Sequence, residues 1–321
     1  MVTLRVYRYT CHGTICRYAS PSFHRLASCS KSMTYEPSGI AIPGVVSPAT
    51  RFINKNQRTI FPFSNGTVMM QEKRQYPSKP DKVYFFGTCV VDLIYPDAGM
   101  AAIQLLEREG LEVIFPQNQS CCGQPAFNSG FPDEARQVAR EQIRVFHREY
   151  PIVVPSGSCA GMMRCHYPEL FEGTELQAAA EKFAGRVFEL TEFLTRVLKV
   201  KLEDRGTPMK VTWHSSCHAL REMGVIGDAK SLLRQLKNVE LVELQNEKEC
   251  CGFGGTFSVK HPEISGSMVR DKIDDIQATG APAVISGDCA CLLHITGAVE
   301  KQKLPVKGRH IAEFIWERTH D

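Results

Sequence analysis

The 321-residue chain has no apolar run approaching the roughly 20 residues a membrane-crossing helix needs, and it reads as soluble. It has no flavin or nicotinamide fingerprint: its densest glycines, 252, 254 and 255, follow a cysteine doublet and lack the required spacing. It has no plain Cys-x-x-Cys pair, which makes a structural zinc knuckle the weaker use of its thiols. It has no clean signal peptide, and neighbours such as Cys121 and Cys122 can hardly pair with each other. A disulfide framework is therefore disfavoured. Basic character is also scarce where it would matter. Residues 1–80 hold eleven Lys/Arg against Glu36 and Glu72, a charge of +9, so the remaining body carries −6 within a net charge of +3. A mildly acidic body gives no reason to expect nucleic acid as a partner.

What the chain does have is thirteen cysteines. Three of them, Cys11, Cys16 and Cys29, fall in residues 1–80, which show neither helical nor strand periodicity and are dotted with proline and serine. Three origins compete for this segment: a disordered tail, a basic targeting segment of the transit-peptide kind, or sequence upstream of the native start. The last is favoured, because Met69 and Met70 stand just before a well-patterned strand. These three cysteines are then bystanders.

From residue 81 the chain repeats itself. Lys82–Phe86 runs into Gly87-Thr88-Cys89, and Lys210–His214 runs into Ser215-Ser216-Cys217. In the first copy a helix follows from Ala98 to Glu109, stopped by Gly110. A second strand, Leu111–Phe115 or Val239–Leu244, leads to a doublet: Cys121-Cys122-Gly123 or Cys250-Cys251-Gly252. After a further helix (Asp133–Glu149, Glu263–Thr279), a third strand leads to Cys159 or to the Cys289-Ala290-Cys291 triplet. Equivalent cysteines are offset by 128, 129 and 130 residues, and Leu190–Leu194 matches Ile311–Ile315 further on. Three landmarks do not stay in step by chance over such a distance. The expected organisation is an N-terminal extension over 1–80, a first repeat over 81–207 and a second over 208–321.

Strands alternating with helices predict an α/β fold: two tandem copies of a parallel-sheet β-α-β unit, joined by right-handed crossovers. Ligands in such sheets sit beyond the carboxyl ends of the strands. Every cysteine landmark lies just after a strand, so the topology should deliver them to one rim. One thiol from the first loop, two from the doublet and one from the third loop make four per copy, the number that holds an iron–sulfur cluster. Gly123 and Gly252 would let the backbone turn sharply at the doublet and approach the cofactor. His214, His218 and Arg221 flank Cys217 and are the candidate catalytic residues. Cys165, His166 and His294 are expected to be structural, and Lys260 and His261 to be solvated surface.

The segments FFGTCVVDLIYPDAG, SCCGQPAFNSG, PSGSCAGMMR, CHALREMG and ECCGFGGTFSVKHPEIS resemble the cysteine-rich CCG domain family. That family includes a component of heterodisulfide reductase and iron–sulfur subunits of glycolate and glycerol-3-phosphate dehydrogenases. The likeness is greatest to its bacterial L-lactate oxidation branch. It implies an oxidoreductase subunit that relays electrons as lactate becomes pyruvate. It implies one or two [4Fe–4S] clusters, other iron–sulfur subunits as partners, and a cytoplasmic setting. The family's third loop carries Cys-x-x-Cys around a noncubane cluster, whereas this chain has Met162 and Leu292 at the second position. Ordinary four-cysteine ligation is thus the simpler expectation, by Cys89, Cys121, Cys122 and Cys159 in one copy and Cys217, Cys250, Cys251 and Cys291 in the other. Cys291 is preferred to Cys289. A disulfide- or quinone-linked reductase subunit, or a cluster-bearing redox sensor, is the alternative.

Overall fold

The computed structural model describes residues 74–320; Cys11, Cys16, Cys29 and most of the expected extension lie outside the described residues. Two four-stranded, wholly parallel sheets are present. The first is built from β1 (Lys82–Phe85), β2 (Glu112–Ile114), β3 (Ile152–Val154) and β4 (Val187–Glu189), in the order β2-β1-β3-β4. The second uses β5 (Met209–His214), β6 (Val239–Val242), β7 (Ala283–Ser286) and β8 (Lys307–His310), in the matching order β6-β5-β7-β8. Even the register corresponds: Tyr84 pairs with Ile152 and Thr212 with Val284. The duplicated α/β architecture expected from the sequence is therefore the one observed.

Period-2 alternation decides which face each strand residue serves. Val83 and Phe85 on β1, Val153 on β3, Val211 and Trp213 on β5, and Ala283 and Ile285 on β7 all enter one buried cluster shared by the two repeats. Tyr84, Phe86, Ile152 and Val154 point the other way, into a core drawn mostly from the first repeat, to which the second adds Ala219, Met223 and Val225. Val284 does the same in the second. Between the sheets, helix Pro96–Arg108 packs on helix Ile311–Thr319, where Arg108 donates to Thr319 Oγ1 at 2.8 Å. The helical run 190–197 packs on Ile226–Gln235, and Arg196 pairs with the buried Asp228 at 2.6 Å. Each partnership joins a helix that follows a first strand in one repeat to a helix that follows a fourth strand in the other. The repeats thus meet as a pseudo-symmetric pair, and neither buries its inner sheet face alone.

Two features differ from the sequence reading. The fourth strand of each sheet is absent from it, because Val187–Glu189 is three residues long and Lys307–His310 (KGRH) has no apolar alternation to betray it. Contacts also reach back across the expected boundary at residue 81. Arg74 donates to the carbonyls of Gly185 and Val187 at 2.9 and 3.0 Å, and its guanidinium lies 3.9 Å from the centre of the Phe188 ring. Tyr76 donates to Glu192 at 3.1 Å. Residues 74–80 have no regular secondary structure, so periodicity could not find them, yet they belong to the folded body.

Candidate metal centre

In a β2-β1-β3-β4 sheet the chain order reverses between β1 and β3, and the crevice beyond that switch point is where doubly wound folds bind ligands. Cys89 follows β1 and Cys159 follows β3, one on each side of the switch. Cys121 and Cys122 arrive from the loop after β2. The thiols of Cys89, Cys121, Cys122 and Cys159 form a chain of contacts in that order, with Cys122 and Cys159 Sγ 3.3 Å apart. The second repeat reproduces the arrangement with Cys217, Cys250, Cys251 and Cys291. Both quartets line a single cleft of about 110 Å³, partly open to solvent.

The doublets need a backbone that turns between adjacent thiols. Gly123 and Gly252 supply it at φ +86° and +88°, in the left-handed region. Their N–H groups each donate to the first thiol of the doublet, Cys121 Sγ and Cys250 Sγ, at 3.4 Å. A Cβ on Gly252 would also lie 2.8 Å from the Ser265 carbonyl oxygen and 2.8 Å from Met268 Cβ. Gly252→Ala should therefore cost roughly 2–4 kcal/mol, from backbone strain plus overpacking. Gly130→Ala, at φ +83° with nothing within 4 Å of its Cβ, should cost only about 1 kcal/mol. Urea denaturation of the two variants checks this; equal losses would remove the case for crowding at the second doublet.

Electrostatics within each quartet are uneven. Hydrogen bonds from Cys122 and Cys89 pull the Cys121 thiol below the ordinary range, and bonds from Cys217 and Cys251 do the same to Cys250. The donors undergo the opposite shift: Cys89 and Cys122 rise through their bonds to Cys121, and Cys217 and Cys251 through theirs to Cys250. Four thiolates at this spacing would repel one another. A positively charged core is what would let all four ionise together. Orphaned buried polarity points the same way. The ring nitrogens of His214, fully buried at the end of β5, have no hydrogen-bond partner, and one of them lies within 4.8 Å of Cys251 and Cys291 Sγ. The donor set, the glycine N–H groups and this orphan fit a sulfur-ligated metal cluster.

The other expected residues separate. Cys289 turns away from the second quartet and packs with Val91 and Ala98, so Cys291 is the thiol that joins it. His218 lines the cleft, with Nδ1 3.4 Å from Cys217 Sγ. Arg221 does not line it; its Nη2 donates to the Lys248 carbonyl at 3.4 Å, in the loop leading to Cys250. Cys165 stands apart, against the Glu222 carbonyl at 3.9 Å. His166 bridges Glu222 and Glu169 at 3.3 and 3.0 Å, and the Glu222 hydrogen bond raises its pKa to about 9. His294 contacts Ser265 Oγ at 3.1 Å, and that hydroxyl donates to Gly252 O at 2.8 Å, so it supports the doublet from behind. Lys260 and His261 are exposed.

Sequence reasoning missed the residues that hold the loops. Gln142, wholly buried, donates to Ser120 Oγ at 2.7 Å just before the first doublet. Its counterpart Lys272, equally offset by 130, donates to Asn246 O at 2.6 Å before the second. Tyr167 OH donates to Cys122 O at 2.9 Å. The buried Asp288 carboxylate does most. Its Oδ2 accepts from Ser158 N at 2.9 Å and from the Ser156 and Ser216 hydroxyls at 3.2 Å, while Oδ1 accepts from Ala290 N at 3.1 Å. Three cysteine loops from two repeats converge on one side chain. A polar residue at the start of a helix after a strand was the only signal available for it.

Comparison with known proteins finds a family and close relatives. The family model described as a cysteine-rich domain, CCG, matches twice, over residues 83–164 and 211–296, and each match encloses one quartet. "Lactate utilization protein A" of Geobacillus sp. (strain WCH70) is 45% identical over 240 residues, which cover 74% of this chain and all of that protein. The protein of the same name from Shouchella clausii is 46% identical over 236 residues, 73% of this chain and 98% of the other. Among solved structures, a hypothetical protein from Helicobacter pylori shares the fold, with a TM-score of 0.56 at 9% identity over 77% of this chain and 50% of that one.

Proposed function

The chain belongs to the cysteine-rich CCG family and, within it, to the lactate utilization protein A group, and from that premise we propose that it is an iron–sulfur electron-transfer subunit of an L-lactate oxidation system. The observation that carries the reading is the pair of four-thiol sites on one cleft. Each site would hold one [4Fe–4S] cluster, which supplies one-electron relay chemistry when bound.

The chain's own residues bind, orient and shield. Cys89, Cys121, Cys122 and Cys159 would hold the first cluster, and Cys217, Cys250, Cys251 and Cys291 the second. Gly123 and Gly252 place backbone N–H groups against ligating sulfur, which disperses thiolate charge. Phe253 and Pro125 add apolar surface to the lining of the cleft. His218, beside Cys217, is the side chain placed to orient a cluster edge or a small ligand there. Oxidation of lactate to pyruvate releases two electrons and two protons. Among the described residues we find no site that would take a hydride, so the primary oxidation falls to partner subunits and this chain passes the electrons on. Other iron–sulfur subunits are the fitting partners. No described helix is long and apolar enough to cross a membrane, and eight unpaired thiols in two sites suit the reducing cytoplasm.

Anaerobic purification followed by iron and sulfide analysis tests this. About eight of each per chain are expected for two such clusters, together with an EPR signal on reduction. Zinc without acid-labile sulfide would overturn the reading.

A further inference from the structure

The two quartets sit on equivalent loops, but one position beside them differs in kind. The last residue of β5 is His214. Its counterpart across the repeat, at the 128-residue offset that relates Cys89 to Cys217, is Phe86, the residue just after β1. Phe86 is fully buried against Phe146, in a purely apolar setting. His214 is just as buried, yet neither ring nitrogen finds a hydrogen-bond partner. Natural interiors rarely leave such a group unsatisfied, because each one costs about 1–3 kcal/mol. Nor does the fold require polarity here, since the same chain fills the matching place with phenylalanine. The charged groups acting on His214 are the Cys250 thiol of the second quartet itself and Lys272, Asp288 and Glu247, which are engaged elsewhere, with Asn246, with the serines of the cysteine loops and with Lys230. What remains within reach are the Cys251 and Cys291 sulfurs, within 4.8 Å.

We propose that His214 is a positioning residue of the second cluster: its ring N–H donates to a ligating cysteine sulfur, making the second cluster the higher-potential member of a built-in pair. This rests on reading the quartets as cluster sites. A hydrogen bond to a thiolate ligand withdraws charge and stabilises the reduced state, more so in a buried, low-dielectric setting. The first site has only the Phe86 ring at that place and lacks the effect. Electrons delivered by a reduced iron–sulfur partner would then pass across the shared cleft in one direction. With both sites loaded, one electron lost at the site held by Cys89, Cys121, Cys122 and Cys159 would be gained at the site beside His214, and an oxidised acceptor would take it from there. No bond or proton changes hands within the chain.

The test is an EPR-monitored redox titration of the anaerobically purified full chain, with iron and sulfide quantified in each sample. Two distinct midpoint potentials are expected. His214→Phe, which copies the first repeat, should move the higher one negative and leave the lower one in place; His214→Gln, which keeps an amide donor, should recover part of the shift. Pulsed EPR on a ¹⁵N-histidine-labelled His218→Val chain, which removes the other imidazole beside the second quartet (Nδ1 3.4 Å from Cys217 Sγ), should still show nitrogen coupling on the higher-potential signal alone. A loaded chain with coincident potentials, potentials indifferent to His214→Phe, or no histidine coupling would overturn the proposal. A chain without iron and sulfide would instead overturn the cluster reading itself.

Discussion

Cys251→Ser is expected to remove about half of the iron and sulfide from the chain, and Cys122→Ser the other half, each with loss of one set of EPR signals. The two thiols are the most buried members of the doublets, each 2% exposed, and each links two neighbours of its quartet. Serine cannot replace the soft thiolate in either place. Because ligands held by metal stabilise the fold directly, both variants should also melt at lower temperature than the loaded wild type. Cys289→Ser is the informative contrast. That thiol sits in an apolar pocket with Val91 and Ala98, where burial raises its pKa well above the ordinary range. A hydroxyl there should cost about 1–3 kcal/mol of stability through desolvation while leaving the iron count unchanged. Iron analysis and thermal melts on the three variants check this. Equal iron loss from Cys289→Ser would move the ligand set by one residue pair and undo the assignment of Cys291.

That choice between Cys289 and Cys291 marks where the sequence was legible and where it was not. The repeat, the parallel strands and the cysteines beyond them were all readable, because each rests on a local pattern that recurs at a constant offset. In the folded chain Val83, Phe85, Val211 and Trp213 enter the shared core at period 2, a division of faces the sequence reading did not draw. The assignment of Cys291 could only be leaned towards, because both thiols follow β7 and the helix that starts at Cys289 carries them about 200° apart around its axis. Which one faces the cleft depends on how that helix lies against the first repeat. Sequence offsets carry no such information. The same holds for Gln142, Lys272 and Asp288: each is a polar side chain whose partners come from loops distant in the chain, and each would pass for surface by composition. His214 was legible as a neighbour of Cys217 but not as an orphan, because being without a partner is a property of the packed interior alone. Arg221 shows the converse, a residue adjacent to the site in sequence whose side chain leads out of it.

Asp288→Ala should be the most damaging substitution that touches no thiol. Deleting the carboxylate strands the Ser158 N–H and the Ser156 and Ser216 hydroxyls, and it uncaps the helix that carries Cys291. Loss of a buried, charge-assisted hub of this kind costs roughly 3–5 kcal/mol. The damage should spread across the repeats, because Ser158 adjoins Cys159 of the first quartet and Ser216 adjoins Cys217 of the second. Asp288→Asn keeps one acceptor oxygen but sets an amide N–H₂ against one of the donor clusters. It should fall between wild type and alanine. Urea denaturation of the metal-free chains would give the stability differences, and iron analysis of anaerobically loaded protein would show whether both sites suffer. Depletion confined to the second quartet would mean that Asp288 serves only its own helix. Depletion of both would fit a cleft organised from one carboxylate at the junction of two sheets, where inheritance of a duplicated fold has been turned into a single paired site.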